Sequence, residues 1–143
     1  ITMDWIVQVL KRTVDTQYRT KADRRHTFLA GSSMGGLMTL YGLLAYPEVF
    51  SRGAALSPSL WIDAEKVKAM IRHARVKRNT VLYMDYGALE FADHPHSRSL
   101  FAEVSALLIE KRVLLNSRIV PRGTHCEASW EKQIPFFMKT LFE

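Results

Sequence analysis

Thr27-Phe28-Leu29-Ala30-Gly31-Ser32-Ser33-Met34-Gly35-Gly36-Leu37 is the stretch on which the fold turns. Its first four residues are a short β-prone run ending at Gly31. Met34 to Tyr46 then reads as a buried helix, stopped because the residue before Pro47 is pushed out of the helical region. Strand, tight turn and helix succeed one another within twenty residues, the repeating unit of α/β proteins. Downstream the alternation continues. Gly53 to Leu56 suits another buried strand, Asp63 can cap a helix running to His73, and Thr80 to Tyr86 is a stronger strand ending at Gly87. Leu100, Phe101, Val104, Leu107 and Leu108 form a helical stripe. Ser117 to Val120 is expected as a strand before Pro121, and Ala128 to Phe142 as a last helix kinked at Pro135. Upstream, Met3, Ile6, Val7, Leu10 and Val14 recur at spacings of three and four, so the first twenty residues are expected as a surface helix with one buried face. No linker or repeat breaks the series. The expectation is one α/β domain over residues 1–143, with a mostly parallel sheet flanked by helices.

Composition agrees with a globular domain and bounds its partners. Of 143 residues 48% are hydrophobic and 24% charged, which excludes a disordered or fibrous chain. The formal charge of +6 permits attraction to anions, but the basic residues are scattered. Their densest run, Arg72 to Arg78, ends a predicted helix, where cations complement the helix dipole. It is read as a solvated helix end, and no nucleic-acid partner is expected. The single Cys126 excludes an internal disulfide framework. Met34 to Tyr46, the longest apolar stretch, is too short for a bilayer, which needs roughly 20 residues, so no membrane span is expected. The chain opens at Ile1 inside an amphipathic pattern, without a basic segment followed by an apolar one and a cleavage site, and a cytoplasmic location is expected.

The sharpest chemical signal is Gly31-Ser32-Ser33-Met34-Gly35, a G-x-S-x-G set between a predicted strand and a predicted helix. Glycines flank a nucleophile elbow because its backbone is strained and packs close to its neighbours. The central serine oxygen then projects above the sheet near a helix N-terminus. Ser33 is that residue, and the Met34 N–H would supply an oxyanion-hole donor. The alternative is a glycine-rich turn that packs strand on helix without chemistry.

A serine hydroxyl is a poor nucleophile until a base takes its proton. Of five histidines, His26 precedes the elbow, His73 lies on a predicted helix, and His94 and His96 flank Pro95 in a predicted loop. His125 comes after the last predicted strand. The order serine, acid, histidine, with the last two on loops past strand ends, therefore favours His125. The orienting acid should come after the Thr80 to Tyr86 strand, where Glu90, Asp93 and Asp85 are candidates. Asp85 still belongs to the strand, and Glu90, after the turn at Gly87, has the better reach; Asp93 comes next. Such an acid fixes the histidine tautomer and stabilises the imidazolium without itself taking the proton.

These residues carry a resemblance. Ala30-Gly31-Ser32-Ser33-Met34-Gly35-Gly36-Leu37, Tyr46-Pro47-Glu48-Val49-Phe50 and Leu56-Ser57-Pro58-Ser59-Leu60-Trp61 resemble the putative esterase family of α/β-hydrolases, which includes enterochelin esterases, S-formylglutathione hydrolases, feruloyl esterases and mycolyltransferases. The similarity extends through Tyr83 to Glu90 and through Gly123-Thr124-His125 with Trp130. It implies an α/β-hydrolase fold of which this is the later half, without the N-terminal strands, and names Ser33, Glu90 and His125 as the triad. Glu stands where several branches have Asp. In the family the second oxyanion donor comes from a loop after an early strand, so the site is expected to be incomplete in this chain. The Thr27 to Gly31 strand is expected as an open sheet edge, which invites self-association into a homo-oligomer.

Other constellations compete with this one. Ser129-Trp130-Glu131-Lys132 matches S-x-x-K but lacks its companion motifs, since Leu141 comes directly after Lys139-Thr140. Asp93-His94-Pro95-His96 offers metal-like ligands without a third and fourth at a recognisable spacing, so no metal is expected. Cys126 adjoins His125, but neighbouring side chains on an extended segment diverge. Trp61, Tyr86 and Phe91 are candidate walls of a substrate pocket. The expected activity is hydrolysis of a small carboxylic ester through a serine acyl-enzyme, with no cofactor. The alternatives are a non-catalytic fragment or binding domain and an acyltransferase.

Overall fold

The computed structural model describes residues 2–93 and 95–143, the side chain of Asp93 excepted. Four strands, β1 (Phe28–Ser32), β2 (Arg52–Leu56), β3 (Val81–Gly87) and β4 (Leu114–Val120), form one sheet in the order β1-β2-β3-β4. Every pairing is parallel. The register sets Ser32 beside Leu56, Leu56 beside Asp85, and Gly87 beside Val120. All four strands therefore finish at one end of the sheet, and the loops leaving that end hold the candidate site residues.

The helices match the alternation read in the sequence. They are α1 (Thr2–Trp5), α2 (Lys11–Gln17), α3 (Met34–Ala45), α4 (Ala64–His73), α5 (Glu90–Asp93), α6 (His96–Glu110), α7 (Glu127–Glu131) and α8 (Ile134–Phe142). Parallel strands need covered faces, and both are covered. Ala55, Leu82, Met84 and Tyr86 point to one face, where Leu40 and Leu43 of α3, Ile71 of α4 and Phe101, Val104 and Leu108 of α6 complete a core. Ala54, Leu56 and Tyr83 point the other way, against Leu141 and Phe137 of α8 and against Trp130 and Phe28. Asp63 caps α4 as expected, its carboxylate accepting the Lys66 N–H at 3.1 Å. No helix among the described residues is long and apolar enough to cross a membrane.

Several boundaries differ from the sequence reading. β4 begins at Leu114, three residues before Ser117, because it pairs along the whole of β3. The last helix is two helices, with Pro135 in the first turn of α8, where its missing N–H leaves no intrahelical bond unmade. His96 opens α6 and is not a loop residue, while His94 and the Asp93 side chain lie outside the described residues.

The first helix departs furthest. A π-helical stretch, Ile6–Leu10, lies between α1 and α2 and alters the angular phase of the residues after it. Met3 is buried, but Leu10 and Val14 stay 42% and 36% exposed. They line an open groove of about 310 Å³ beside β1, reaching Phe28, Leu29 and Phe50. β1 is an edge of the four-stranded sheet, and among the described residues no strand fills that groove.

Candidate active site

Ser33 is the residue between β1 and α3. Its φ is 56° and its ψ −118°, a conformation costly for a side chain with a Cβ and held by its surroundings. The Ser33 N–H donates to Leu56 O at 2.9 Å, and Ser33 O accepts the Ser59 N–H at 3.1 Å. Gly31 is required by close approach: a Cβ there would lie 2.5 Å from the Gly35 carbonyl carbon. The turn thus closes on itself and lifts the Ser33 hydroxyl off the sheet. Met34 is the first residue of α3, so its N–H has no acceptor one turn back in that helix and sits beside Ser33.

Glu90 and His125 reach the serine from the ends of β3 and β4. Those turns are packed backbone to backbone. A Cβ on Gly87 would lie 2.4 Å from Gly123, and the Leu89 N–H donates to Gly123 O at 3.0 Å. His125 Nε2 is 2.8 Å from Ser33 Oγ, and His125 Nδ1 is 2.7 Å from Glu90 Oε2. The Glu90 side chain is 4% exposed and that of His125 41%, so the acid is buried and the imidazole opens to solvent. Three residues distant in sequence form one hydrogen-bonded line.

The remaining candidates fall elsewhere. Asp85 points to the α8 side of the sheet, accepting the Tyr83 hydroxyl at 2.7 Å and the Ser57 N–H at 3.1 Å. Burial, opposed by those hydrogen bonds and reinforced by nearby Glu90, holds its carboxyl above the usual range. Burial also raises the Tyr83 hydroxyl. Tyr86 and Phe91, expected as pocket walls, are core residues: they are 2% and 8% exposed and stack with ring centres 5.2 Å apart. The reason is strand alternation, which turns Tyr86 toward the face covered by α6. Trp61 is 55% exposed. Elsewhere His26 pairs with Asp23, and His73 bonds Ala69 O on its own helix. The Ser129 hydroxyl accepts the Thr124 N–H, and the Cys126 thiol is lowered chiefly by its hydrogen bond to Thr124 Oγ1. No group of three or more His, Cys, Asp or Glu side chains suited to a metal ion occurs among the described residues.

Three residues close to the line carry the resemblance but were given no role in the sequence reading. Ser57 Oγ donates to Glu90 Oε1 at 2.7 Å and accepts the Trp130 indole N–H at 3.0 Å. Ser59 Oγ lies 3.3 Å from Ser33 Oγ. Trp130 sets its ring edge-on to His125, with centres 5.0 Å apart. Ser57 and Ser59 lie in a loop with no periodicity, so only proximity in the fold reveals them.

The family model described as Putative esterase matches residues 2–139. Over 48 residues, 34% of this chain, the sequence is 44% identical to the iron(III) salmochelin esterase of Escherichia coli O6:H1, of which that stretch is 12%. In structure the chain is similar to the enterochelin esterase of Shigella flexneri, with a TM-score of 0.75, 23% identity, and coverage of 96% of this chain and 36% of that one. An IroE-like serine hydrolase from Shewanella oneidensis gives a TM-score of 0.76 at 20% identity, covering 97% of this chain and 45% of the other. A ferulic acid esterase gives 0.76 at 16%, covering 97% and 59%. The fold is that of the α/β-hydrolases, and the chain spans less than two thirds of each of these relatives.

Proposed function

This chain belongs to the Putative esterase family, and on that premise we propose that it hydrolyses a carboxylic ester through a serine acyl-enzyme. The observation that most supports the reading is the hydrogen-bonded line from Glu90 Oε2 to His125 Nδ1 at 2.7 Å and from His125 Nε2 to Ser33 Oγ at 2.8 Å. Ser33 Oγ attacks the ester carbonyl carbon while His125 Nε2 takes the hydroxyl proton. Negative charge then grows on the former carbonyl oxygen, where the Met34 N–H can donate to it. As the tetrahedral intermediate collapses, His125 returns the proton to the departing alcohol. Water, deprotonated by the same imidazole, releases the acid and restores Ser33. Glu90 keeps the Nδ1 proton facing itself, so that Nε2 offers a lone pair to the serine.

The names of the relatives suggest where to begin with substrates: esters of enterochelin, of salmochelin and of ferulic acid. The reaction itself is tested more simply. Turnover of a p-nitrophenyl ester should fall by more than about a thousandfold in Ser33→Ala, judged against triad knockouts in serine hydrolases generally. A fluorophosphonate should label the protein at Ser33, as mapped by mass spectrometry. Equal turnover in wild type and Ser33→Ala would overturn the proposal.

A further inference from the structure

The triad stops at Glu90 in the proposed mechanism, but its hydrogen bonds do not. We propose that Trp130 and Ser57 continue the line and are positioning residues that fix which way its protons point; this inference rests on the triad reading above. An indole N–H can only donate. Trp130 Nε1 lies 3.0 Å from Ser57 Oγ, so the Ser57 oxygen accepts there and has one proton left to give. That proton goes to Glu90 Oε1, 2.7 Å away. The backbone N–H of Gly87, also only a donor, approaches the same Oε1 at 2.8 Å. Oε1 thereby accepts twice, which holds the plane of the carboxylate. Oε2 is left to face His125 Nδ1, so Nδ1 carries the proton and Nε2 is bare toward Ser33. From the indole to the nucleophile, each proton of the line then has one place.

The surroundings keep Ser57 in place for this task. Its φ is 40°, a left-handed backbone that β-branched residues avoid, and its N–H is held by both the main-chain oxygen and Oδ1 of Asp85, each at 3.1 Å. Ser57 is 1% exposed, so water does not compete for its hydroxyl. Trp130 touches the line twice, by its N–H at Ser57 and by its ring edge at His125, and so couples the acid to the base through one rigid side chain.

The test is a double-mutant cycle of Ser57→Ala and Trp130→Phe, read as kcat and KM on a p-nitrophenyl ester. Ser33→Ala and circular dichroism of every variant accompany it. Ser57→Ala should lower kcat by about tenfold to a hundredfold, the range for losing one hydrogen bond to a charged group, with KM unchanged. Trp130→Phe, which keeps an aromatic ring beside His125, should cost less, and the double variant no more than Ser57→Ala alone. The downfield proton of His125 Nδ1 in NMR should move in both single variants, and no further in the double. Additive losses, unchanged kcat in folded single variants, or an unmoved Nδ1 proton would overturn the inference. If Ser57→Ala does not fold, Trp130→Phe alone decides through kcat and the Nδ1 proton. Loss in Ser33→Ala with full activity in Ser57→Ala and Trp130→Phe would defeat this inference and leave the triad standing. Full activity in Ser33→Ala would defeat the triad itself.

Discussion

Replacing Glu90 by Gln changes one atom and should silence the site, for a reason visible in its hydrogen bonds. Oε1 of Glu90 lies 2.8 Å from the Gly87 N–H and 2.7 Å from the Ser57 hydroxyl. A glutamine must keep its carbonyl oxygen there, because an NH₂ group would set donor against the Gly87 N–H. Its NH₂ is then forced into the place of Oε2, 2.7 Å from His125 Nδ1. Nδ1 must accept that donor, which moves the ring proton to Nε2, the atom 2.8 Å from Ser33 Oγ. Nε2 can then no longer take the serine proton. Tautomer inversion of this kind in a serine protease triad lowers kcat about ten-thousandfold. At about 1.36 kcal/mol per factor of ten this is roughly 5.4 kcal/mol of lost transition-state stabilisation. The assay is kcat on a p-nitrophenyl ester, with ¹⁵N NMR reporting the tautomer of His125. A folded Glu90→Gln protein within about tenfold of wild type, while Ser33→Ala is inactive, would refute the reasoning.

The same loops carry two further expected outcomes. Asp85 is held above its ordinary value of 3.8 mainly by burial, so its contribution to stability is fully present below that value and lost as pH rises through the raised one. Asp85→Asn keeps an oxygen for the Ser57 N–H, and urea unfolding of the two proteins across this window should show the variant gaining on wild type as pH rises; a constant difference would refute it. Gly87→Ala places a Cβ 2.4 Å from Gly123 and 2.6 Å from Glu90 Oε1, an overpacking of about 1–3 kcal/mol. Because that contact joins the turns carrying Glu90 and His125, kcat should fall more than the stability measured by urea unfolding; equal losses would contradict the argument.

The features legible in the sequence and those hidden from it divide along a physical line. Local chemistry was legible. Gly31 and Ser33 announced the elbow because the close approach and the positive φ at such a turn constrain residue type. The strands announced themselves by short apolar runs between breakers. Glu90 could be favoured over Asp85 because Asp85 still belongs to the strand while Glu90, past the turn at Gly87, has the better reach; strand alternation indeed sets Asp85 on the side of Tyr83, whose hydroxyl it bonds. The same alternation turns the Tyr86 ring to the opposite face, among the α6 residues of the core, and not into a pocket wall. Non-local chemistry was hidden. Ser57 and Trp130 are 73 residues apart, and nothing in either segment signals that an indole N–H meets a serine hydroxyl. Their meeting depends on parallel register: Leu56 lies beside Asp85 at the ends of β2 and β3, and Gly87 beside Val120 at the ends of β3 and β4. Register therefore decides which loop residues stand behind the acid. A one-residue slip of β2 against β3 would turn every side chain of β2 to the opposite face and take Ser57 away from Glu90, while leaving the G-x-S-x-G motif untouched. The elbow is a property of five consecutive residues, whereas the support behind Glu90 is a property of the sheet.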